Sequence, residues 1–450
     1  GVDRVVRAQS HPDDGRLTLS FEKQTLANGL TVLVHEDHHT PIAAVSVWYH
    51  VGSKNERPGQ TGLAHLFEHV MFEGSQHVTN GFFEPLQRAG GTLNGSTSSD
   101  RTNYWAVVPT GALELTLWME ADRMGWLLPA LSEERFNTQR EVVLNERRQS
   151  YENRPYGLAY FAMLDALHQD GHPYRWPVIG DPADLRAMNV DDARAFFSRY
   201  YHPGNASLVI AGDVKPDEVF RMAERLFGDI PAGPHVAKVI APPMAAPPCR
   251  VVLEDRVELP RLYLAWPSPA LFAPGDAELD LAAEMLANGK TSRLYRTLVH
   301  DARIVAELGA SQGSRELQGM FQITATAAPG HTLAEVHTAL VDALSEMAAH
   351  GPRPAELARE QAQTEATFLS RLQTLGGFGG KSDQLNAYQV YLGRADYFDA
   401  DLRRYLDATP AGVRQAVDAW LTPNTAVALS VVPQGRTDLA LPDSQPSEVR

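Results

Sequence analysis

Apolar residues along this chain follow two kinds of pattern. Short runs rich in β-branched residues read as strands, and apolar residues three and four apart read as helices. TLANGLTVLVHED (25–37) predicts a hairpin, with Asn28-Gly29 as its turn and residues 30–34 as its second strand. PIAAVSVWYHVG (41–52) predicts another strand. In TGLAHLFEHVMF (61–72), Leu63, Leu66, Phe67, Val70 and Met71 have helical spacing. TLNGSTSSDRTNYWAVVP (92–109) reads as one extended segment ending at Pro109. GALELTLWMEADRMGWLL (111–128) and SEERFNTQREVVLNERRQSYE (132–152) predict helices. Ser132 suits the N-cap of the second, and Glu133 and Glu134 suit its first turn.

The pattern then repeats. RYYHPGNASLVIAGDV (199–214) and AWLTPNTAVALSVVP (419–433) each give an aromatic helix end, a Pro-containing turn and an apolar strand. PAGPHVAKVIAPPMAAPP (231–248) between them has the composition of a linker. With 450 residues the chain is long for one core. The expectation is an α+β fold of two similar domains, 15–232 and 247–440, joined by 233–246. The chain begins with Gly and a polar stretch, GVDRVVRAQSHPDDG, as expected of a processed or trimmed N-terminus.

Composition narrows the function. A formal net charge of -15 argues against nucleic acid, whose phosphates call for a basic patch. No run of 18 apolar residues predicts a membrane span. Cys249 is the single cysteine, which excludes an intramolecular disulfide and every multi-cysteine zinc site. A metal would need His, Asp or Glu. The lack of disulfides fits a bacterial cytoplasm and leaves a periplasm or mitochondrial matrix open.

The candidate chemistry is HLFEH, residues 65–69. On a helix His65 and His69 stand one turn apart on one face, with Glu68 on the same side. Two imidazoles so placed can bind zinc, and a carboxylate beside them can serve as the base for water whose pKa the metal lowers to about 7. HxxEH is HExxH reversed and supplies the same groups. The plain reading of such a pair is a surface arrangement of two histidines. A catalytic zinc also needs a third protein ligand. QREVVLNERR offers Glu141 and Glu146. Glu146 shares a helix face with Val142 and Val143, where a carboxylate wants a partner, and Glu141 can pair with Arg148. The residues lean to Glu146 and leave both open.

Here the sequence resembles a known family. HLFEH followed by REVVLNE is similar to the inverted-motif zinc peptidases: pitrilysin, insulysin and the mitochondrial processing peptidase. NGLTVLVHED, LNGSTSSDRTNYW, YYHPGNASLVIAGDV and WLTPNTAVALSVVP resemble family segments in the family's order, over roughly residues 20–435. The resemblance implies a metalloendopeptidase with one zinc per chain, ligands His65, His69 and Glu146, and Glu68 as general base. It implies the short branch of the family, whose chains carry two homologous α/β-sandwich domains and pair into dimers enclosing a chamber. In that setting LNGSTSS (93–99) becomes an edge that adds a peptide as an extra strand, with Asn94, Gly95 and Ser96 as substrate contacts.

Two positions depart from the family pattern. Gln139 stands where members commonly carry a second glutamate. Matching TSRLYRTLVHDARIVAELGA (291–310) places Val299 and Ala306 at the family's Arg and Tyr, which bind substrate and the tetrahedral intermediate. Neither side chain donates a hydrogen bond. The resemblance therefore implies a homologous partner subunit that carries the pair, a heterodimer, with a homodimer and a local Arg303 as lesser options. A non-catalytic scaffold subunit of the same fold is the alternative function. The remaining signals are weaker. Asn288-Gly289-Lys290-Thr291 lacks a phosphate loop's first glycine, having Glu284 there. LGGFGGKSD (375–383) reads as a connection between helices, and His77, His38-His39 and Glu133-Glu134 read as solvated surface.

Overall fold

The structure is a computed structural model that describes residues 3–8, 16–241 and 249–449, the first of these by backbone alone. Position 15 and positions 242–248, where the expected linker and the start of the second domain fall, lie outside the described residues. The chain forms two compact units, each built on one mixed sheet.

The first sheet has seven strands: β1 (Asp3–Ala8), β2 (Phe21–Thr25), β3 (Thr31–Glu36), β4 (Ile42–Tyr49), β5 (Thr92–Thr97), β6 (Thr102–Pro109) and β7 (Ala206–Gly212). Their order is β1-β2-β3-β7-β4-β6-β5, so β5 is an edge. The second sheet holds β8 (Cys249–Asp255), β9 (Arg261–Ser268), β10 (Val305–Gly313), β11 (Gly319–Ala327), β12 (Val427–Pro433) and β13 (Gln445–Pro446). Its order is β10-β11-β9-β12-β8-β13. The core five strands match: β5-β6-β4-β7-β3 and β10-β11-β9-β12-β8 have the same order and the same senses of pairing. The two rhyming segments of the sequence become β7 and β12, the equivalent inner strands, each entered through a short 3-10 turn from a helix.

The hairpin at Asn28-Gly29 forms between β2 and β3. Residues 92–109 are not one extended piece: a tight turn at Ser99-Asp100 folds them into the β5–β6 hairpin. The 132–152 helix runs Glu133–Arg147 and then widens into a π-helical turn, Arg148–Glu152. Ser132 does cap it, its hydroxyl accepting the Arg135 N–H at 3.1 Å.

Inner strands such as β4 and β7 are buried on both faces, which is why they read as unbroken apolar runs. Both faces need helices, and the compact units find them across the expected boundaries. The first consists of Gly1–Asn145, Pro177–Val239 and Thr367–Ala400. The second consists of Glu146–Trp176, Ile240–Ala366 and Asp401–Arg450. In the first unit the Lys381–Leu392 helix lies on β4 and β7. In the second, Ala159, Met163 and Leu167 pack on Tyr263, Ala265 and Leu429. The alternate residues Leu262, Leu264 and Trp266 face the opposite core. Among the described residues no helix is long and apolar enough to cross a membrane.

Asp280 is partly buried in the second unit and accepts the Tyr405 hydroxyl at 3.0 Å. Burial pushes its pKa up to about 6, against the Tyr405 bond and with help from Asp276 and Glu284. A carboxyl whose folded pKa is raised favours folding below its unfolded value near 3.9, and that advantage is lost as pH rises through about 6. Asp280→Asn, which keeps an acceptor for Tyr405, should stabilise the protein by ~2–3 kcal/mol at pH 8. The gain should vanish near pH 4 in urea melts.

Candidate metal centre and peptide edge

His65, Glu68 and His69 lie on one short helix, Leu63–Val70. Its apolar residues Leu63, Leu66, Phe67 and Val70 are buried, which turns the polar side toward Glu146. Gly62 begins it at φ 98°, and a Cβ there would come within 2.9 Å of Leu185 and 3.1 Å of the Ile179 carbonyl. Glycine thus allows both the left-handed turn and the close approach, but offers no side-chain cap. Glu56 supplies one from upstream. Its carboxylate accepts the Gly62 N–H and the Ala64 N–H, each at 2.9 Å, and is 8% exposed.

The other end of this helix meets Arg123, which is 2% exposed. The guanidinium forks onto Glu120 at 2.9 and 2.5 Å and reaches the Met71 carbonyl at 3.3 Å. It also lies over the rings of Tyr104 at 4.1 Å and Phe82 at 4.3 Å. An acid at the N-terminus and a base at the C-terminus both oppose the helix dipole. Past the helix, Asp122 accepts from Ser75 Oγ, the His77 N–H and His77 Nδ1. His77 is therefore held by Asp122 rather than simply solvated.

One ligand atom each from His65, His69 and Glu146 lie within 4.8 Å of one another, and among the described residues this is the only such group. The two imidazole rings are 4.9 Å apart and nearly perpendicular. Glu146 belongs to the last turn of the continuous Glu133–Arg147 helix, whose earlier part lies in the first unit. Along that helix Val143 and Leu144 are buried, Val142 is 41% exposed and Glu141 is exposed. So Glu146 joins the histidines and Glu141 does not, although Val142 does not mark the buried face as expected. Gln139 is buried on the same helix. Tyr151 follows in the π-helical turn, its phenol held above the ordinary range by burial and by the charge of Glu146.

Glu68 is partly exposed, and one of its oxygens accepts the Thr97 hydroxyl at 2.7 Å. Thr97 ends β5, so Glu68 is tied to the sheet edge. The Ser98 N–H bonds to the Arg101 carbonyl at 2.9 Å, which fixes the hydrogen-bonding phase of the hairpin. Asn94 and Ser96 then pair with β6 through their main chain, and Leu93, Gly95 and Thr97 turn their N–H and C=O groups to the open edge. Asn94 and Ser96 send their side chains to the face away from Glu68. The Asn94 carboxamide curls back to accept the Gly95 N–H at 2.8 Å. Of the three expected substrate contacts, Gly95 alone presents main chain to the edge; Leu93 and Thr97 join it.

The other sequence signals fall elsewhere. Val299 is partly buried against the second core, while Ala306 and Arg303 are exposed in the second unit. Asn288 bonds Glu284 and the main chain of Ala310, so it serves β10. His38 and His39 are exposed, His38 between Glu36 and Asp213 and His39 on Asp37. Sequence reasoning missed Glu56, Arg123 and Thr97.

Removing the Glu56 cap leaves two buried N–H donors without an acceptor. Glu56→Ala should cost ~3 kcal/mol of stability in denaturant melts. It should also weaken zinc retention on dialysis, whereas Glu114→Ala on the exposed surface should change neither.

Comparison with known proteins accords with this geometry. Residues 31–175 match the family model described as Insulinase (Peptidase family M16), and residues 187–364 match that of the Peptidase M16 inactive domain. The zinc protease PqqE of Helicobacter pylori is 30% identical over 394 residues, 86% of this chain and 87% of that protein. The mitochondrial-processing peptidase subunit beta of Caenorhabditis elegans is 28% identical over 243 residues, 53% of this chain and 51% of that protein. The crystal structure of a protease from Helicobacter pylori superposes with a TM-score of 0.84 at 27% identity, covering 93% of this chain and all of that one. With two family models in order and a relative matched along most of both lengths, the chain belongs to the insulinase family of peptidases, M16.

Proposed function

We propose that this chain is the zinc-bearing subunit of a metalloendopeptidase that cuts peptides or unfolded segments. The observation that carries this reading is the convergence of His65, His69 and Glu146, with Glu68 on the same helix as the two histidines. Two imidazoles and one carboxylate suit zinc and leave a tetrahedral ion one open position. We assign one zinc per chain to these three residues. Zinc held there supplies Lewis acidity, polarising a carbonyl and lowering the pKa of water to about 7.

Glu68 is the general base. Its carboxylate takes a proton from the attacking water and returns it to the leaving amine. Thr97 occupies one carboxylate oxygen and leaves the other to carry that proton. The substrate adds to β5 as a further strand, bonding main chain to main chain at Leu93, Gly95 and Thr97. Such binding needs extended peptide and asks little of its sequence. The Asn94 carboxamide must release the Gly95 N–H when the strand docks.

The Arg and Tyr that resemblance assigns to the oxyanion have no counterpart at Val299 and Ala306. A second copy of this chain would lack them equally. An unlike, homologous partner supplies the missing donors in this reading, and without them the rate falls by 100-fold or more.

Glu68→Gln should lower kcat for an unstructured peptide by about 10²–10⁴-fold while leaving one zinc per chain by elemental analysis. Retained activity would remove Glu68 from the chemistry. The zinc-loaded chain should also cut peptide only when mixed with a homologous subunit bearing the Arg and Tyr. An inactive mixture would favour the scaffold function instead.

A further inference from the structure

The open edge of β5 is useful only if its pitch is fixed, and among the described residues β6 alone is its neighbour. One rung of the sheet explains how it is held. Ser96 on β5 lies opposite Asn103 on β6, and Asn103 lies opposite Trp48 on β4. All three side chains stand on the face away from the His65 helix, because Thr97, the next residue, points toward Glu68. Ser96 Oγ donates to Asn103 Oδ1 at 2.5 Å. Asn103 Nδ2 donates to Asp383 Oδ1 at 3.3 Å, and Trp48 Nε1 donates to the same oxygen at 2.9 Å. Asn103 is fully buried and Trp48 is 4% exposed, so these bonds are partly shielded from water.

Asp383 itself is anchored from behind. It sits in the first turn of the Lys381–Leu392 helix, and its second oxygen accepts the Gly379 N–H at 2.8 Å. The loop carrying Gly379 is pressed onto the sheet. At Gly376 a Cβ would come within 2.6 Å of Val107 and 2.7 Å of Ala44. There the loop rests directly on β4 and β6, and the missing side chain of Gly376 is the reason it can. Asn386, one turn on, bonds the Ser46 carbonyl and hydroxyl at 3.0 Å.

We propose that Asp383 is a positioning residue for the peptide edge. Acting through Asn103 and Ser96, it fixes the pitch of β5 between Gly95 and Thr97, the two residues on either side of Ser96 that face an incoming strand. The carboxylate thus belongs to substrate binding although it lies on the far face of the sheet and in the C-terminal half of the sequence. The proposal rests on the reading of β5 as the edge that receives substrate.

The test compares Asp383→Ala, Ser96→Ala and the double variant, each zinc-loaded and in the assembly that cleaves peptide. Alanine removes the acceptor of Asn103, Trp48 and Gly379 together. Asp383→Ala should raise KM for an unstructured peptide about tenfold, with kcat within about twofold and zinc still at one per chain. Amide exchange at Asn94 and Ser96 should quicken about tenfold, with β7 unchanged. Ser96→Ala, at a partly exposed position, should give the same effects, and adding Asp383→Ala to it should raise KM less than about twofold further. Unchanged β5 exchange in Ser96→Ala, or independent and fully multiplying effects, would overturn the proposal. A wild-type assembly that cuts no peptide would refute the peptidase reading instead, and the exchange measurements would still decide whether Asp383 holds β5.

Discussion

Two buried charges hold the helix on which the site depends. Leu63–Val70 has eight residues, too few to persist alone in water. Glu56 satisfies the N–H groups of its cap residue Gly62 and of Ala64, and Arg123 the carbonyl of Met71, just past its end. Burying a carboxylate or a guanidinium is costly unless hydrogen bonds replace lost water. Here the replacements are the helix termini themselves, together with Glu120 for the guanidinium. The cost of isolating either charge is thus tied to keeping the helix in place, and with it His65, Glu68 and His69.

From that helix the geometry extends in two directions. Glu146 arrives on the last turn of a separate helix, just before it widens into a π-helical turn. Thr97 arrives on the edge strand and bonds Glu68. A site assembled from a helix, a helix end and a sheet edge needs the sheet to be rigid, and its inner strands are covered on both faces. One cover is a helix from the C-terminal half of the sequence. The chain order therefore hides a dependence: residues near 380 bear on a site whose ligands all lie before residue 150.

Much of this was legible in the sequence, for physical reasons. HLFEH reads as a metal helix because helical spacing brings its two histidines to one face. The rhyme between residues 199–214 and 419–433 reads as a repeat because the same inner strand is made twice. Glu146 was separable from Glu141 by resemblance better than by burial, since Val142 faces outward. The exchange of helices between the halves was not legible, because an amphipathic pattern does not say which sheet it will cover. Glu56 left only a negative signal: Gly62 starts a helix with no side chain able to cap it, so a cap had to come from elsewhere. The faces of Asn94 and Ser96 were not legible, because alternation along β5 could not be phased until the Ser99-Asp100 turn was known.

The central claim is that one divalent ion is held jointly by His65, His69 and Glu146. It is tested most directly by a crystal structure of the zinc-loaded protein with anomalous differences measured across the zinc edge. The account predicts a single peak per chain, about 2.0–2.2 Å from a nitrogen of each imidazole and from a Glu146 oxygen. A peak elsewhere, or Glu146 turned away from a zinc held by the histidines alone, would contradict it.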